Sequence, residues 1–208
     1  MSWYVLHSPR ARYLRVKRLL DLVLCLMASP VIVPILALCY LAVRLDSPGP
    51  AIFAQQRVGM HGRPFRMYKF RTMVENAEEL KESVANLTVL PPPDFKIIDD
   101  PRITRVGRFL RKSSLDELPQ ILNVVQGEMS LVGPRPTDFG IDRYTLWHCE
   151  RLEVPPGITG LWQVEGRHAT SFDERLRLDI RYIDTISLLT DVRLLLRTIS
   201  VVIRGTGA

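Results

Sequence analysis

From Leu22 to Val43 the chain runs 22 residues without a charge. A straight helix of that length reaches about 33 Å, enough for the hydrocarbon core of a bilayer. The run is too long for the apolar part of a signal peptide, and no small-x-small cleavage site follows it. Two prolines interrupt it, in Ser29-Pro30 and at Pro34, and each removes an N–H and crowds the preceding turn. The Ser29 hydroxyl can bond a carbonyl one turn back and ease a bend. Two topologies follow: a kinked helix that spans, or a helix–break–helix that dips into one leaflet and returns.

After Ser47-Pro48-Gly49-Pro50 the pattern changes period. Residues 51–58 and 64–72 read as strands of a hairpin around Gly59-Met60-His61-Gly62. Residues 73–86, rich in Glu, Ala, Leu and Lys, predict a helix, and Pro91-Pro92-Pro93 a loop. Residues 102–111 predict a short helix, and 118–125 another closed by Gly127. Gly133-Pro134-Arg135-Pro136 cannot be regular. Residues 141–153 predict a helix, Pro155-Pro156-Gly157 a turn, and residues 158–164 a short apolar stretch. Two helices follow at about 171–184 and 187–204. The last is amphipathic, with Arg193, Arg197 and Arg204 opposite Leu188, Val192, Leu196 and Ile199, which suits a core or interfacial helix. Asp191 falls in its apolar arc and should pair with a cation or a backbone donor. Asp21 lies within one turn of Lys17, its expected partner.

Charge sharpens the topology. The net charge of +6 divides into +9 for residues 1–72 (11 Lys/Arg, 2 acids) and −3 for the rest (17 Lys/Arg, 20 acids). Arg10, Arg12, Arg15, Lys17 and Arg18 precede the apolar run, and Arg44 follows it directly. Positive flanks stay on the cytoplasmic side, so basic flanks at both ends lean toward the re-entrant reading. Three cysteines without a CxxC exclude a disulfide scaffold and a simple zinc finger.

The densest chemistry lies in residues 100–120. Arg102, Arg105, Arg108, Arg111 and Lys112 precede the adjacent carboxylates Asp116 and Glu117. Arginine suits bidentate phosphate binding. Ser114-Leu115-Asp116-Glu117 matches a capping box, but Pro119 would then fall where its missing N–H is needed. That moves the expected helix start to about 116–118, with the carboxylates beside free amides at the helix mouth. Two carboxylates, free amides and arginines suit phosphoryl transfer. One carboxylate would be the nucleophile and the other would hold a divalent cation. A solvated cationic face balanced by local acids is the bland alternative.

Lys69-Phe70-Arg71-Thr72-Met73, Ser114 through Gln120, Asn123 through Pro136, and Pro156-Gly157-Ile158-Thr159-Gly160 together resemble the bacterial sugar transferase family, the monotopic phosphoglycosyl transferases. The resemblance covers about residues 18–198. It implies an α+β, predominantly helical fold. An N-terminal re-entrant helix over residues 1–46, broken at Ser29-Pro30, would carry a cytoplasmic catalytic domain over 47–208 with a β-hairpin and interfacial amphipathic helices. It also implies that Asp116 attacks the sugar-bearing phosphorus of a UDP-sugar, that UMP leaves, and that undecaprenyl phosphate takes the phosphosugar from the aspartate. Glu117, with Asp116, would hold Mg²⁺. Arg135, between Pro134 and Pro136, matches the nucleotide-associated motif. Arg111, Lys69, Arg71 and Arg167 are further substrate-binding candidates. His168 stands where the family commonly has Asn, which affects the sugar side. Asp179 and Asp191 match family acids for which structural roles are at least as well motivated as catalytic ones. The chain resembles the minimal catalytic form on the cytoplasmic face of the bacterial inner membrane. The resemblance admits an interfacial homodimer and implies no nucleic-acid partner. A lipid-anchored scaffold would leave the carboxylate pair unexplained, and a nucleic-acid binder would leave the apolar run unexplained.

Overall fold

In a computed structural model the protein is described over residues 9–80, 82–88, 97, 99–137, 144–165 and 171–203. It is mostly helical with two small sheets. Arg167, His168 and Pro91-Pro92-Pro93 lie outside the described residues.

One helix, α1 (Pro9–Asp46), holds the whole apolar run and stays helical through Pro30 and Pro34. Ser29 Oγ donates to the Leu26 carbonyl at 2.7 Å, one of the carbonyls near the bend that a proline cannot serve. By length and composition α1 can cross a membrane. Its buried residues form one stripe, Lys17, Asp21 and Cys25 before the Ser-Pro pair and Cys39 and Val43 after it. None of residues 26–38 is buried, and Leu26, Met27, Val31, Val33 and Leu38 are exposed.

The hairpin forms as expected. β1 (Ile52–Val58) pairs antiparallel with β2 (Pro64–Phe70), Ile52 opposite Phe70. His61 takes the left-handed conformation in the turn, at φ +57°. Helices α2 (Arg105–Lys112) and α3 (Gln120–Gln126) follow. Two three-residue strands, β3 (Ser130–Val132) and β4 (Gly157–Thr159), then pair in parallel. The chain closes with α4 (Leu161–Glu165), α5 (Phe172–Asp184) and α6 (Leu188–Ile203). Ser171 opens α5 with a complete capping box to Glu174.

Two expected helices are corrected. Residues 73–86 form turns and a 3-10 helix (Glu82–Leu87), not an α-helix. Tertiary pairing overrides propensity there, because Met73 bridges Ile103 and the Val74 N–H donates to Arg102 O at 2.9 Å. The described part of 141–153 is a 3-10 helix (Trp147–Glu153). The β3–β4 pair joins segments 27 positions apart, a pairing that local periodicity does not carry.

Three apolar clusters hold the body together. Cys25 packs with Phe65, Met67, Val124 and Met129. Cys39 and Val43 pack with Ala51, Phe70 and Leu110. Val132, Val154, Leu161, Tyr182, Ile183 and Leu194 form the third. The two ends of α1 therefore dock on neighbouring parts of one hairpin.

Polar ties fix the N-terminal half of α1. Lys17 crosses to Asp191 at 2.6 Å instead of pairing along the helix with Asp21. Tyr13 and Tyr182 also donate to Asp191, at 2.6 and 2.7 Å, so the acid on the apolar arc of α6 is fully partnered. Asp21 accepts from Ser130 Oγ at 2.7 Å. Arg18 donates to the Val124 and Val125 carbonyls at the end of α3.

Buried Asn123 joins α3 to the hairpin. Its Oδ1 accepts from Tyr68 N at 3.0 Å, and its Nδ2 donates to Arg66 O at 2.6 Å and Glu128 Oε2 at 2.7 Å. Asn123→Leu fills the space but strands these groups, and should cost about 2–4 kcal/mol of unfolding free energy. Thermal unfolding in detergent checks this, and an unchanged midpoint would contradict the anchoring role.

Candidate active site

The candidate site forms where α2 turns back into α3 against the end of β2. Thr104 caps α2, its Oγ1 accepting from Gly107 N at 3.0 Å. Gly107 lies directly on the Thr72 backbone, and a Cβ there would come within 2.1 Å of the Thr72 carbonyl oxygen. This contact lets α2 lie across the strand end, where Arg111 Nε donates to Thr72 Oγ1 at 2.9 Å.

Ser114 then adopts the left-handed conformation, φ +57°, and residues Leu115–Glu117 form a 3-10 turn. Ser114 makes no side-chain cap bond, so the capping box does not form. Pro119 is the N-cap of α3 rather than its first residue. The carboxylates thus sit on a separate turn ahead of α3. The Glu117 N–H is spent inside that turn, on Ser114 O at 3.3 Å.

The two carboxylates have different surroundings. Glu117 is clamped by two cations. Arg135 donates from Nη1 to Oε2 at 3.0 Å and from Nη2 to Oε1, and Lys69 Nζ meets Oε1 at 3.2 Å. Burial alone would raise its pKa, but Arg135 and Lys69 outweigh burial and hold it at about 2. Asp116 makes no hydrogen bond or ion pair among the described residues. Burial, then the neighbouring Glu117 charge, push its carboxyl up to about 6, against the pull of Lys69, Arg111 and Arg135. Burial likewise lowers Lys69, with Glu117 partly offsetting it.

Arg135 owes its place to the parallel pair. Gly133 N donates to Thr159 O at 2.9 Å and Gly157 N to Pro134 O at 2.9 Å. A Cβ on Gly157 would come within 2.1 Å of Gly133 N, so the strands approach only because both are glycine. Arg151 donates to the Arg135 carbonyl and fixes the segment from the other side.

A cleft of about 180 Å³ opens beside the clamp, lined by Lys69, Arg135 and Pro136 together with Arg57, Arg151, Arg175, Trp162, Phe172 and Asp179. Asp179 is buried and accepts from Arg151 Nη2 at 2.6 Å. Burial raises its carboxyl to about 6 against the pull of Arg151.

Of the residues singled out from sequence, the structure brings together Asp116, Glu117, Lys69, Arg135 and Pro136, with Arg111 beside them and Asp179 across the cleft. Pro134 acts through its carbonyl. Arg71 points elsewhere, donating to the Ser47, Pro48 and Gly49 carbonyls and so bracing the exit from α1. Asp191, Ser29 and Pro30 belong to α1 and its docking. Arg57, Arg151, Arg175, Trp162 and Phe172 were not legible as site residues, since each stands outside the motifs that carried the resemblance.

The family model described as "Bacterial sugar transferase" matches residues 12–205. The chain is 46% identical over 197 residues to the undecaprenyl-phosphate galactose phosphotransferase of Salmonella typhimurium, covering 92% of this chain and 41% of that protein. It is 43% identical over 192 residues to the UDP-glucose:undecaprenyl-phosphate glucose-1-phosphate transferase of Caulobacter vibrioides, covering 88% and 68%. It is 41% identical over 193 residues to the uncharacterized sugar transferase EpsL of Bacillus subtilis, covering 92% and 89%. The chain spans about two fifths of the length of several curated relatives, the Salmonella protein among them.

The raised Asp116 carboxyl carries a stability signature. A carboxyl whose pKa rises on folding favours the fold fully below its unfolded value, and loses that contribution as pH climbs through the folded value, here about 6. Asp116→Asn should therefore stabilise the fold by up to about 3 kcal/mol near pH 8 and by nothing near pH 4. Thermal unfolding at the two pH values checks this. An equal shift at both, or a loss at the higher, would contradict the assignment.

Proposed function

We propose a function from one plain premise: the chain belongs to the bacterial sugar transferase family. It transfers a sugar 1-phosphate from a UDP-sugar to undecaprenyl phosphate, giving undecaprenyl-diphospho-sugar and UMP. This is a membrane step in the synthesis of bacterial surface polysaccharide. Two relatives are named for sugar-phosphate transfer to undecaprenyl phosphate, one with galactose and one with glucose, so the names leave the sugar open.

The observation that carries the reading is the asymmetry of the pair. Glu117 is held ionised by Arg135 and Lys69, whereas neither Asp116 oxygen has a hydrogen-bond partner among the described residues. A carboxylate kept free beside a fixed charge and several cations suits a nucleophile. Asp116 attacks the phosphorus that carries the sugar, a P–O bond forms, and the P–O bond to UMP breaks. The leaving phosphate keeps the electron pair, and Arg111 and the cleft arginines lie where they can receive its charge. An oxygen of undecaprenyl phosphate then attacks the same phosphorus, and the Asp116 carboxylate departs unchanged. Glu117 acts through position. It holds Lys69 and Arg135 at the edge of the cleft, and its charge disfavours a second charge on Asp116 until phosphate and cations have gathered.

Mg²⁺ fits this donor set in part. Magnesium commonly takes one or two carboxylates with substrate phosphates completing its shell. Asp116 has free oxygens to offer, while both Glu117 oxygens already face cations. Asp116 and the donor's diphosphate would therefore hold the ion, with Glu117 as an outer neighbour. Bound there, Mg²⁺ would neutralise charge on the diphosphate.

The packing of α1 supports a re-entrant placement on the cytoplasmic leaflet. Cys25 and Cys39 dock on adjacent parts of one hairpin. The unburied stretch between them, residues 26–38, is 13 residues long, or roughly 20 Å, short of the ~30 Å core. Two docking points on one domain support a segment that enters one leaflet and returns to the same side. Exposed apolar residues on α2 (Phe109), α3 (Leu122, Val125) and α6 (Leu189, Val192, Leu196, Ile199) suit the same lipid surface.

Purified protein with Mg²⁺ should release UMP from a UDP-sugar over many turnovers only when undecaprenyl phosphate is present, and no more than one UMP per protein without it, and a panel of UDP-sugars identifies the sugar. Asp116→Asn should abolish turnover while the protein remains membrane-bound, and turnover that survives the substitution would remove Asp116 from the chemistry. Single cysteines placed near residues 8 and 50 should both label from the cytoplasmic face. Labelling from opposite faces would reject the re-entrant placement.

A further inference from the structure

The cleft beside the Glu117 clamp holds a group that phosphate cannot satisfy. Its charged lining is cationic apart from one residue, and phosphate suits those guanidinium and ammonium groups. Asp179 is the exception. Its Oδ2 accepts from Arg151, but its Oδ1, closed from solvent, has no hydrogen-bond partner among the described residues. A buried acceptor left empty is costly, and a structural ion pair with Arg151 would not require a second oxygen to stay empty. The missing partner must be a donor, and it must come with an anion, because cations dominate the rest of the cleft.

Access is arranged at the mouth. Arg175 lies one turn before Asp179 on α5 and rests its guanidinium over the rings of Trp162 and Phe172, at 5.6 and 5.9 Å. Ring contacts of this kind exchange readily for a phosphate, which is the better partner for a guanidinium. Movement of Arg175 toward an incoming phosphate would uncover both the rings and the carboxylate behind them. The rings then offer flat faces to a base or sugar.

We propose that Asp179 is a substrate-binding residue whose Oδ1 accepts a hydrogen bond from an O–H or N–H of the nucleotide sugar outside its diphosphate, while Arg175 leaves the Trp162 and Phe172 rings to bind that diphosphate. This rests on the UDP-sugar reading above. The bonding group belongs either to the nucleoside or to the transferred sugar. In both cases Asp179 reads the part of the donor that phosphate binding ignores.

Calorimetric titration of the full chain in lipid nanodiscs tests the proposal, with Asp116→Asn as the parent so that no turnover occurs. The probes are UDP, UDP-galactose, UDP-glucose and inorganic pyrophosphate. Adding Asp179→Asn keeps the shape but turns an N–H toward the ligand. It should weaken at least one nucleotide probe by about tenfold or more and leave pyrophosphate within about twofold. Equal weakening of UDP and both UDP-sugars assigns the bond to the nucleoside, and weakening of the UDP-sugars alone assigns it to the sugar. The proposal is overturned if no nucleotide probe weakens, or if pyrophosphate weakens as much as they do. N3-methyl-UDP, 2′-deoxy-UDP, 3′-deoxy-UDP and singly deoxygenated UDP-galactose and UDP-glucose, titrated against the parent, give the same answer without altering Asp179. One of them should lose about tenfold, and no loss across the set also overturns the proposal. If UDP does not bind the parent at all, the UDP-sugar reading itself has failed.

Discussion

Two carboxylates on consecutive residues cannot both be ionised cheaply in a partly buried site, since each charge raises the cost of the other. The fold resolves this by giving the hydrogen bonds of Arg135 and Lys69 to Glu117, while Lys69, Arg111 and Arg135 reach Asp116 only through their charge. Arg135 and Lys69 hold Glu117 as an anion at about 2, and Asp116 is left at about 6 with its oxygens unspent. Everything near the site follows from keeping those two cations in place. Lys69 comes from β2, whose register is locked through Asn123. Arg135 comes from the segment after β3, which reaches the site because Gly133 and Gly157 let two short strands nearly touch. The turn that presents the pair exists because Ser114 takes a left-handed conformation between α2 and α3.

The same economy governs the attachment of α1. A helix with exposed apolar residues along its middle needs lipid to cover them. Its two ends are held by protein, through Lys17, Arg18, Asp21 and Cys25 on one side and Cys39 and Val43 on the other. Arg18 and Lys17, counted from sequence among the charges facing anionic lipid, are instead spent inside the structure, on α3 carbonyls and on Asp191. Part of the positive flank is therefore structural, Arg10 included, which pairs with Glu153. The candidate site lies on the elements that α1 docks against.

Much of this was legible in the chain. The hairpin, α2, α3, α5 and α6 announced themselves by period and by Gly127, all local signals. The carboxylate pair and Arg135 were legible because their motifs are dense and ordered. What failed was non-local. Residues 73–86 have helical composition, but the segment enters through a Met73–Ile103 bridge and a Val74 N–H bond to Arg102 O. The capping box at Ser114, set aside in sequence because of Pro119, is absent in the fold. Arg71 looked like a phosphate ligand beside Lys69, yet it stands just past the end of β2 and turns onto the carbonyls after α1. Arg57, Arg151 and Arg175 stand far apart in sequence and meet only once β3 and β4 pair, so no spacing rule could have gathered them.

The account stands on Asp116 as the atom donor to phosphorus. Intact-mass measurement of the protein incubated with its UDP-sugar and Mg²⁺, without lipid acceptor, addresses this directly. The account predicts a gain of one sugar phosphate, mapped by peptide fragmentation to Asp116, absent in Asp116→Asn, retained in Glu117→Gln, and discharged when undecaprenyl phosphate is added. A modification on Glu117, or turnover by a protein that never carries the added mass, would contradict it.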